Sequence, residues 1–253
     1  MAAALALGWS AAETGPDSIV VSDLDTERAQ GLADRTGART AKSNRDLAET
    51  ADVLVLATKP AALQAVAEET RVTVHERDLP VVSILGATST AAVEQAFGEG
   101  TAVLRFMPNV AAEVRAGTFC YAPGSSIGSG TVRSLLDLFG LLGELIPVEE
   151  RLMDAATAIS GCGPAFFALV VESLTDAGVK EGLDARQAAQ LARTTMAGTA
   201  ELLRQRDAVS LRRAVTSPGG VTAAGVAKLE QYKVRAAFGA AVESVVDKAR
   251  GAG

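Results

Sequence analysis

Residues 52–57 read Asp-Val-Leu-Val-Leu-Ala, a run too short for a stable helix and apolar on both of its faces. A strand without polar alternation has to be covered above and below, which is the situation of a parallel sheet with helices on both sides. The same kind of run recurs at Ile19–Val21, Val81–Leu85 and Val103–Phe106. Helix-like stretches separate them: Thr26–Thr36, Asn44–Thr50, Ala61–Glu69 and Thr90–Phe97, with a short strand at Ala38–Thr40. The implied class is α/β, a doubly wound, Rossmann-like parallel sheet. A further strand pair, Thr118–Ala122 and Leu145–Pro147, is expected to flank a Gly/Ser-rich turn at Gly124–Gly130 and a helix at Val132–Leu142.

The chain opens with a small-residue run, Ala2–Leu7, broken at Gly15-Pro16 before the first strand. A helix followed by an apolar strand with an acidic tip, Asp23, is the second half of a dinucleotide-binding βαβ unit. The strand and glycine loop that open such a unit are not among the residues given, so the first strand is expected to be absent from the sheet.

Beyond about residue 148 the strand signals stop. Helical patterns follow at Leu152–Ile159, Pro164–Gly178, Ala185–Arg204 and Ala223–Arg250, the last after a turn at Pro218. These helices are rich in Ala and Leu, with apolar residues on more than one side, and such faces must be buried by something. The expected division is residues 1–148 as a Rossmann-like domain and 149–253 as an all-α domain completed by a second copy of the chain.

A net charge of −6 offers no surface to phosphate backbones, which argues against a nucleic-acid partner. The two cysteines, Cys120 and Cys162, have no metal-like spacing, and no metal site is expected. No apolar run reaches the roughly 18 residues of a membrane span, and no signal peptide is indicated, so the expectation is a cytoplasmic protein that needs no membrane. The single histidine, His75, lies in a polar run and is expected at the surface.

In an open parallel sheet ligands bind beyond the carboxyl ends of the strands. Three such ends stand out: Ala57-Thr58-Lys59-Pro60, Ser83–Ala87, and Arg105–Asn109, in which Met107 and Asn109 offer an apolar contact and an amide suited to a nicotinamide ring. Asp23 can accept from both ribose hydroxyls of an adenosine. It would repel a 2′-phosphate, and no arginine follows it immediately, so it favours NADH over NADPH. Between two helices lies Val215–Thr222, whose Pro218 and paired Gly219 and Gly220 allow close backbone approach. The following helix start is suited to a carboxylate, with Ser217 and Thr222 adding hydroxyls. The alternative reading of the stretch is a plain helix connection with Thr222 as its cap.

Four segments, ADVLVLATKP, LRFMPN, TAISGCGPAFF and LRRAVTSPGGVTAAGVAKLE, occur in order across nearly the whole chain, and with them it resembles the pyrroline-5-carboxylate reductase family. The resemblance implies an N-terminal domain that binds NADPH or NADH and a helical domain that forms a homodimer or a larger homo-oligomer. It implies hydride transfer to the C=N carbon of 1-pyrroline-5-carboxylate, giving L-proline. Cofactor contacts carried over by position fall on Asn44, Ala57, Lys59, Pro60, Gly86 and Asn109. Met1-Ala2 looks like the end of a GxGNMA-type loop, which puts Ala2 at its third small position. The recorded start is then expected to be about a dozen residues late. The small anionic substrate suits backbone N–H groups from Gly219 through Val221 to Thr222, with the Thr222 hydroxyl near the ring nitrogen as the catalytic group. Two other readings compete: a dimerising homologue without turnover, and a β-hydroxyacid dehydrogenase-like enzyme. The second needs a lysine early in the helix after Gly163, whereas the first lysine there is Lys180.

Overall fold

The computed structural model describes residues 1–251. The chain divides into two compact units, Met1–Cys162 together with the residues from Val245 onward, and Gly163–Ser244.

In the first unit, α1 (Ala2–Ser10) leads to β1 (Val20–Val21), α2 (Thr26–Thr36) and β2 (Arg39–Thr40). Then come α3 (Asn44–Thr50), β3 (Leu54–Leu56), α4 (Leu63–Glu76), β4 (Val81–Ser83), α5 (Thr90–Phe97) and β5 (Val103–Pro108). The unit continues with β6 (Gly117–Pro123), α6 (Ser129–Gly140) and β7 (Gly143–Pro147). The starts of α2, α3 and α5 are set by Asp25, Ser43 and Ser89, whose side chains accept first-turn N–H groups.

The strands form two sheets, β1-β2 and β3-β4-β5-β6-β7. Pairing is parallel except between β5 and β6, which run antiparallel with Phe106 opposite Tyr121. The expectation of parallel pairing therefore fails at that one place. Only residues 109–116 join β5 to β6, too few for the dozen or more that a crossover to a parallel neighbour takes.

Alternation along the five-stranded sheet divides its core between two faces. Val82, Ile84, Leu104 and Phe106 point to one face, covered by Leu5 and Trp9 of α1 and by Leu135 and Phe139 of α6. Phe106 stacks on Phe139 at 4.4 Å between ring centroids, and the Trp9 indole donates to the Leu138 carbonyl at 3.1 Å. Leu54, Leu56, Val81 and Val103 point to the other face, covered by Ala48 of α3, Ala67 and Val74 of α4, and Val93 and Phe97 of α5. Both faces are clothed, as the unbroken apolar strands require.

A helical run then spans Glu150–Lys180. It starts as a 3₁₀ turn (Glu150–Leu152), becomes α7 (Met153–Ala156), widens to a π turn (Thr157–Gly161) and continues as α8 (Gly163–Lys180). By length and composition this run could cross a membrane, which corrects the expectation that no segment does. The uncharged stretch from Ala155 to Val171 carries it, with scattered small and polar residues that mask it when the sequence is scanned for an unbroken apolar run.

The second unit comprises α8, α9 (Ala185–Leu203), α10 (Ala208–Ala214), α11 (Val221–Gln231) and α12 (Val234–Arg250) as far as Ser244. The single helix expected over Ala223–Arg250 is in fact two. Lys233 sits in the left-handed region at φ +56°, which ends the helical run without any Gly or Pro to announce the break. Helix α10, absent from the expectation, is capped by Asp207 through the N–H groups of Val209 and Ser210. Few apolar side chains of this unit are buried: Ala188, Ala192 and Leu211 among the described residues, while Phe167, Leu174, Leu191, Leu229 and Tyr232 are exposed.

Candidate active site

Strands β3, β4 and β5 are mutually parallel, so their carboxyl ends lie along one edge. The β3 exit, Ala57-Thr58-Lys59-Pro60, is exposed throughout, and Pro60 opens a 3₁₀ turn (Pro60–Ala62). At the β4 exit Leu85 is buried while Gly86 and Ala87 are exposed. Ala87 holds φ +50°, an uncommon conformation for a residue with a side chain, and a Cβ built on Gly86 meets nothing within 4 Å. A turn held in a costly conformation beside open space is the kind of strain that accompanies ligand sites. These residues fit a dinucleotide laid across strand exits.

The β5 exit differs. Met107 and Asn109 are buried, and Met107 shares an apolar cluster with Cys120, Ala122 and Met153. The Asn109 amide donates to the Ser160 carbonyl at 3.1 Å, and its oxygen accepts the Thr118 N–H at 3.2 Å. Both side chains expected to meet a nicotinamide ring are thus turned into the protein, because Arg105, Met107 and Asn109 share one face of an alternating strand.

At the exit of β1, Asp23 is exposed, and its Oδ1 accepts the Asp25 N–H at 3.0 Å. Arg28, near the start of α2, approaches Asp23 at 3.8 Å and Asp25 at 3.7 Å. The cation missing from the two positions after Asp23 is therefore supplied from the helix. Asp25 as a cap places Arg28 one turn on, a signal the sequence did contain. Asn44 opens α3 half-buried and gives its amide N–H to Glu69 at 2.8 Å, leaving its oxygen. Ala2, half-buried, is the first residue of α1, which has no side-chain cap.

In the second unit the turn before α11 leaves the start of that helix without a side-chain cap. Gly219 is left-handed at φ +72°, a Cβ added to it would meet nothing within 4 Å, and Gly220 donates its N–H to the Ser217 carbonyl at 3.0 Å. Gly220 is the N-cap and supplies no side-chain bond, so Thr222 is the second helical residue and not the cap. The N–H groups of Val221, Thr222 and Ala223 belong to the first turn and have no intrahelical partner. Val221 and Thr222 are exposed, so these donors are open to a ligand carrying negative charge.

One charged network went unforeseen. Glu150 accepts the Thr90 N–H and hydroxyl, each at 2.7 Å, and pairs with buried Arg105 at 3.1 Å. Burial alone would raise the Glu150 carboxyl, but the Thr90 bonds and the Arg105 charge outweigh it and hold its pKa below the ordinary value.

Comparisons agree with this architecture. Residues 150–252 match the family described as pyrroline-5-carboxylate reductase dimerisation, and residues 1–86 match the NADP oxidoreductase, coenzyme F420-dependent family. The chain is 35% identical over 225 residues to pyrroline-5-carboxylate reductase of Methanosarcina acetivorans, covering 88% of this chain and 83% of that protein. It is 34% identical to the Corynebacterium melassecola enzyme, covering 97% and 92%. Among solved structures, the Coxiella burnetii pyrroline-5-carboxylate reductase superposes with a TM-score of 0.89 at 29% identity, covering 99% of this chain and 94% of that one. The Plasmodium falciparum pyrroline carboxylate reductase, solved with NADP bound, gives 0.85 at 30% identity, covering 98% and 92%. On fold, full-length similarity and matched families together, the chain belongs to the pyrroline-5-carboxylate reductase family.

Proposed function

We propose that this protein reduces 1-pyrroline-5-carboxylate to L-proline with NADPH or NADH. The observation that carries the reading is the open N-terminus of α11, where three backbone N–H groups behind a left-handed glycine await a small anion. The bound dinucleotide would supply the hydride.

The chain's own groups have three tasks. Val221, Thr222 and Ala223 hold the substrate carboxylate through backbone N–H groups and fix the orientation of the ring. The Thr222 hydroxyl hydrogen-bonds the ring nitrogen and stabilises its protonated form, in which the neighbouring carbon is most electrophilic. As hydride adds to that carbon, the C=N electron pair moves to nitrogen, and a neutral secondary amine results. Holding donor and acceptor together supplies much of the rate. Asp23, Ala57–Pro60 and Gly86 would hold the dinucleotide, with the oxygen of Asn44 and the start of α1 at Ala2 as further contacts.

We assign residues 1–148 to dinucleotide binding and 149–253 to dimerisation and substrate binding, with the exposed apolar side chains of α8 to α11 covered by a second copy of the chain. The unpaired cysteines and net charge of −6 suit a cytoplasmic enzyme without nucleic-acid partners. The test is oxidation of NADH and NADPH by the full chain with 1-pyrroline-5-carboxylate. Turnover with proline as product is the expected result. Dinucleotide binding without turnover would overturn the reading in favour of an inert homologue.

A further inference from the structure

One face of β5 makes three successive ties to the start of the Glu150–Lys180 run. Arg105 pairs with Glu150, Met107 shares a cluster with Met153, and Asn109 bonds the Ser160 carbonyl. The two elements run in the same direction. From residue 105 to 109 a strand advances about 13 Å, and from 150 to 160 a helix advances about 15 Å, so the ties stay in step.

The first tie reaches further than the others. The Glu150 carboxylate also receives the N–H and hydroxyl of Thr90, the first residue of α5, where it meets the positive end of the helix. Upstream of Thr90 lies the exposed, strained turn at Gly86-Ala87, closed on its own side by the Thr88 hydroxyl donating to the Gly86 carbonyl at 3.0 Å. Arg105 is buried and its Nε has no partner, so its charge depends on this one carboxylate among the described residues. Glu150 thus hydrogen-bonds both the element after the β4 exit and the strand leading to the β5 exit.

We propose that Glu150, with Thr90 and Arg105, positions the Gly86-Ala87 turn for the dinucleotide, a role that rests on reading the strand exits as the cofactor edge. Glu150 touches neither reactant. It acts by keeping the turn in a conformation that the backbone would otherwise leave, so that less ordering remains to be done on binding.

The test compares Glu150→Gln, Thr90→Val and Thr90→Ser in the full chain. Readouts are NADH affinity by fluorescence quenching, separate KM values for dinucleotide and imine, and the thermal midpoint. Glu150→Gln and Thr90→Val should weaken NADH binding about tenfold, a common size for coupling between a remote group and a site. The KM for the imine should stay within about twofold, and Thr90→Ser, which keeps the hydroxyl, should bind as the unaltered protein does. A lowered midpoint with unchanged NADH affinity in both variants would make the network a structural brace only and overturn the proposal. Failure of the unaltered chain to bind either dinucleotide would overturn the cofactor-edge reading and this role with it. NADH binding that falls as expected in a chain that turns over no imine would uphold the role and overturn the reductase reading alone.

Discussion

Asn109 and Ser160 are joined by a hydrogen bond of 3.1 Å between the side-chain amide of the first and the carbonyl of the second, across fifty-one positions of sequence. The same amide's oxygen takes the N–H of Thr118, so one buried side chain satisfies a strand, a π turn and itself. Replacing Asn109 with Leu leaves a carbonyl and an N–H without partners. The expected cost is about 2 kcal/mol of unfolding free energy, from the usual penalty for unsatisfied buried groups. Urea unfolding checks it, and an unchanged midpoint would mean that water replaces the amide.

The turn before α11 separates backbone from side-chain effects. Gly219→Ala places a Cβ in the left-handed region, at a cost of about 1 kcal/mol, and should raise the KM for 1-pyrroline-5-carboxylate. Thr222→Ala leaves the N–H groups in place, so its loss should appear chiefly in kcat, by about a hundredfold, the lower end of what a positioned proton-handling group contributes. Steady-state kinetics with saturating NADH distinguishes the two. Equal effects on KM and kcat in both variants would contradict the division of labour.

In the proposed cofactor site Asp23 would choose between ribose hydroxyls and a 2′-phosphate, and Arg28 is shared between it and Asp25. Asp23→Ser removes one carboxylate and frees the guanidinium. The ratio of kcat/KM for NADPH over NADH should then rise about tenfold, the worth of about 1.4 kcal/mol. A ratio that does not move would place the adenosine elsewhere.

The depressed pKa of Glu150 sets a direction for pH dependence. The group binds its proton less readily folded than unfolded, so its contribution is fully present above the ordinary value of 4.5 and is lost as pH falls through the lower, folded value. Among the described residues the charge paired with it is Arg105, while neighbouring Arg151 and Glu149 pair with each other at 2.8 Å. The difference in unfolding midpoint between the native chain and Glu150→Gln should be largest near neutrality and shrink on acidification. A difference that grows towards acid would refute the assignment.

Phe167 and Leu174 lie seven residues apart on α8, on one face and both exposed. Replacing both with Asp should convert the assembly to monomers in light scattering while the sheet unit keeps its circular dichroism. Retention of the assembly would mean that another face is covered.

Much of this was legible beforehand because local signals agreed. Helices α2, α3 and α5 begin where Asp25, Ser43 and Ser89 say they should, and the apolar strands called for two clothed faces. The antiparallel β6 was not legible, since strand direction depends on connection length and not on the residues of the strand. Nor was the break at Lys233, where a lysine takes a left-handed conformation that its own propensity disfavours. Among the candidate site residues, exposed strand exits could be read from chain order. The inward turn of Met107 and Asn109 could not, because alternation says which residues share a face but not which face meets solvent. Glu150 escaped notice for a related reason: its partners lie forty-five and sixty positions away.

The π turn at Thr157–Gly161 adds a residue to what would otherwise be ordinary helix. Such a turn takes up its extra residue within a single wider ring of i→i+5 bonding, so removing one residue here would let ordinary i→i+4 bonding run straight through. A single-codon deletion in this turn is therefore a local edit with a remote victim: the helical bonding closes up, and the Ser160 carbonyl is drawn away from the Asn109 amide fifty-one positions earlier.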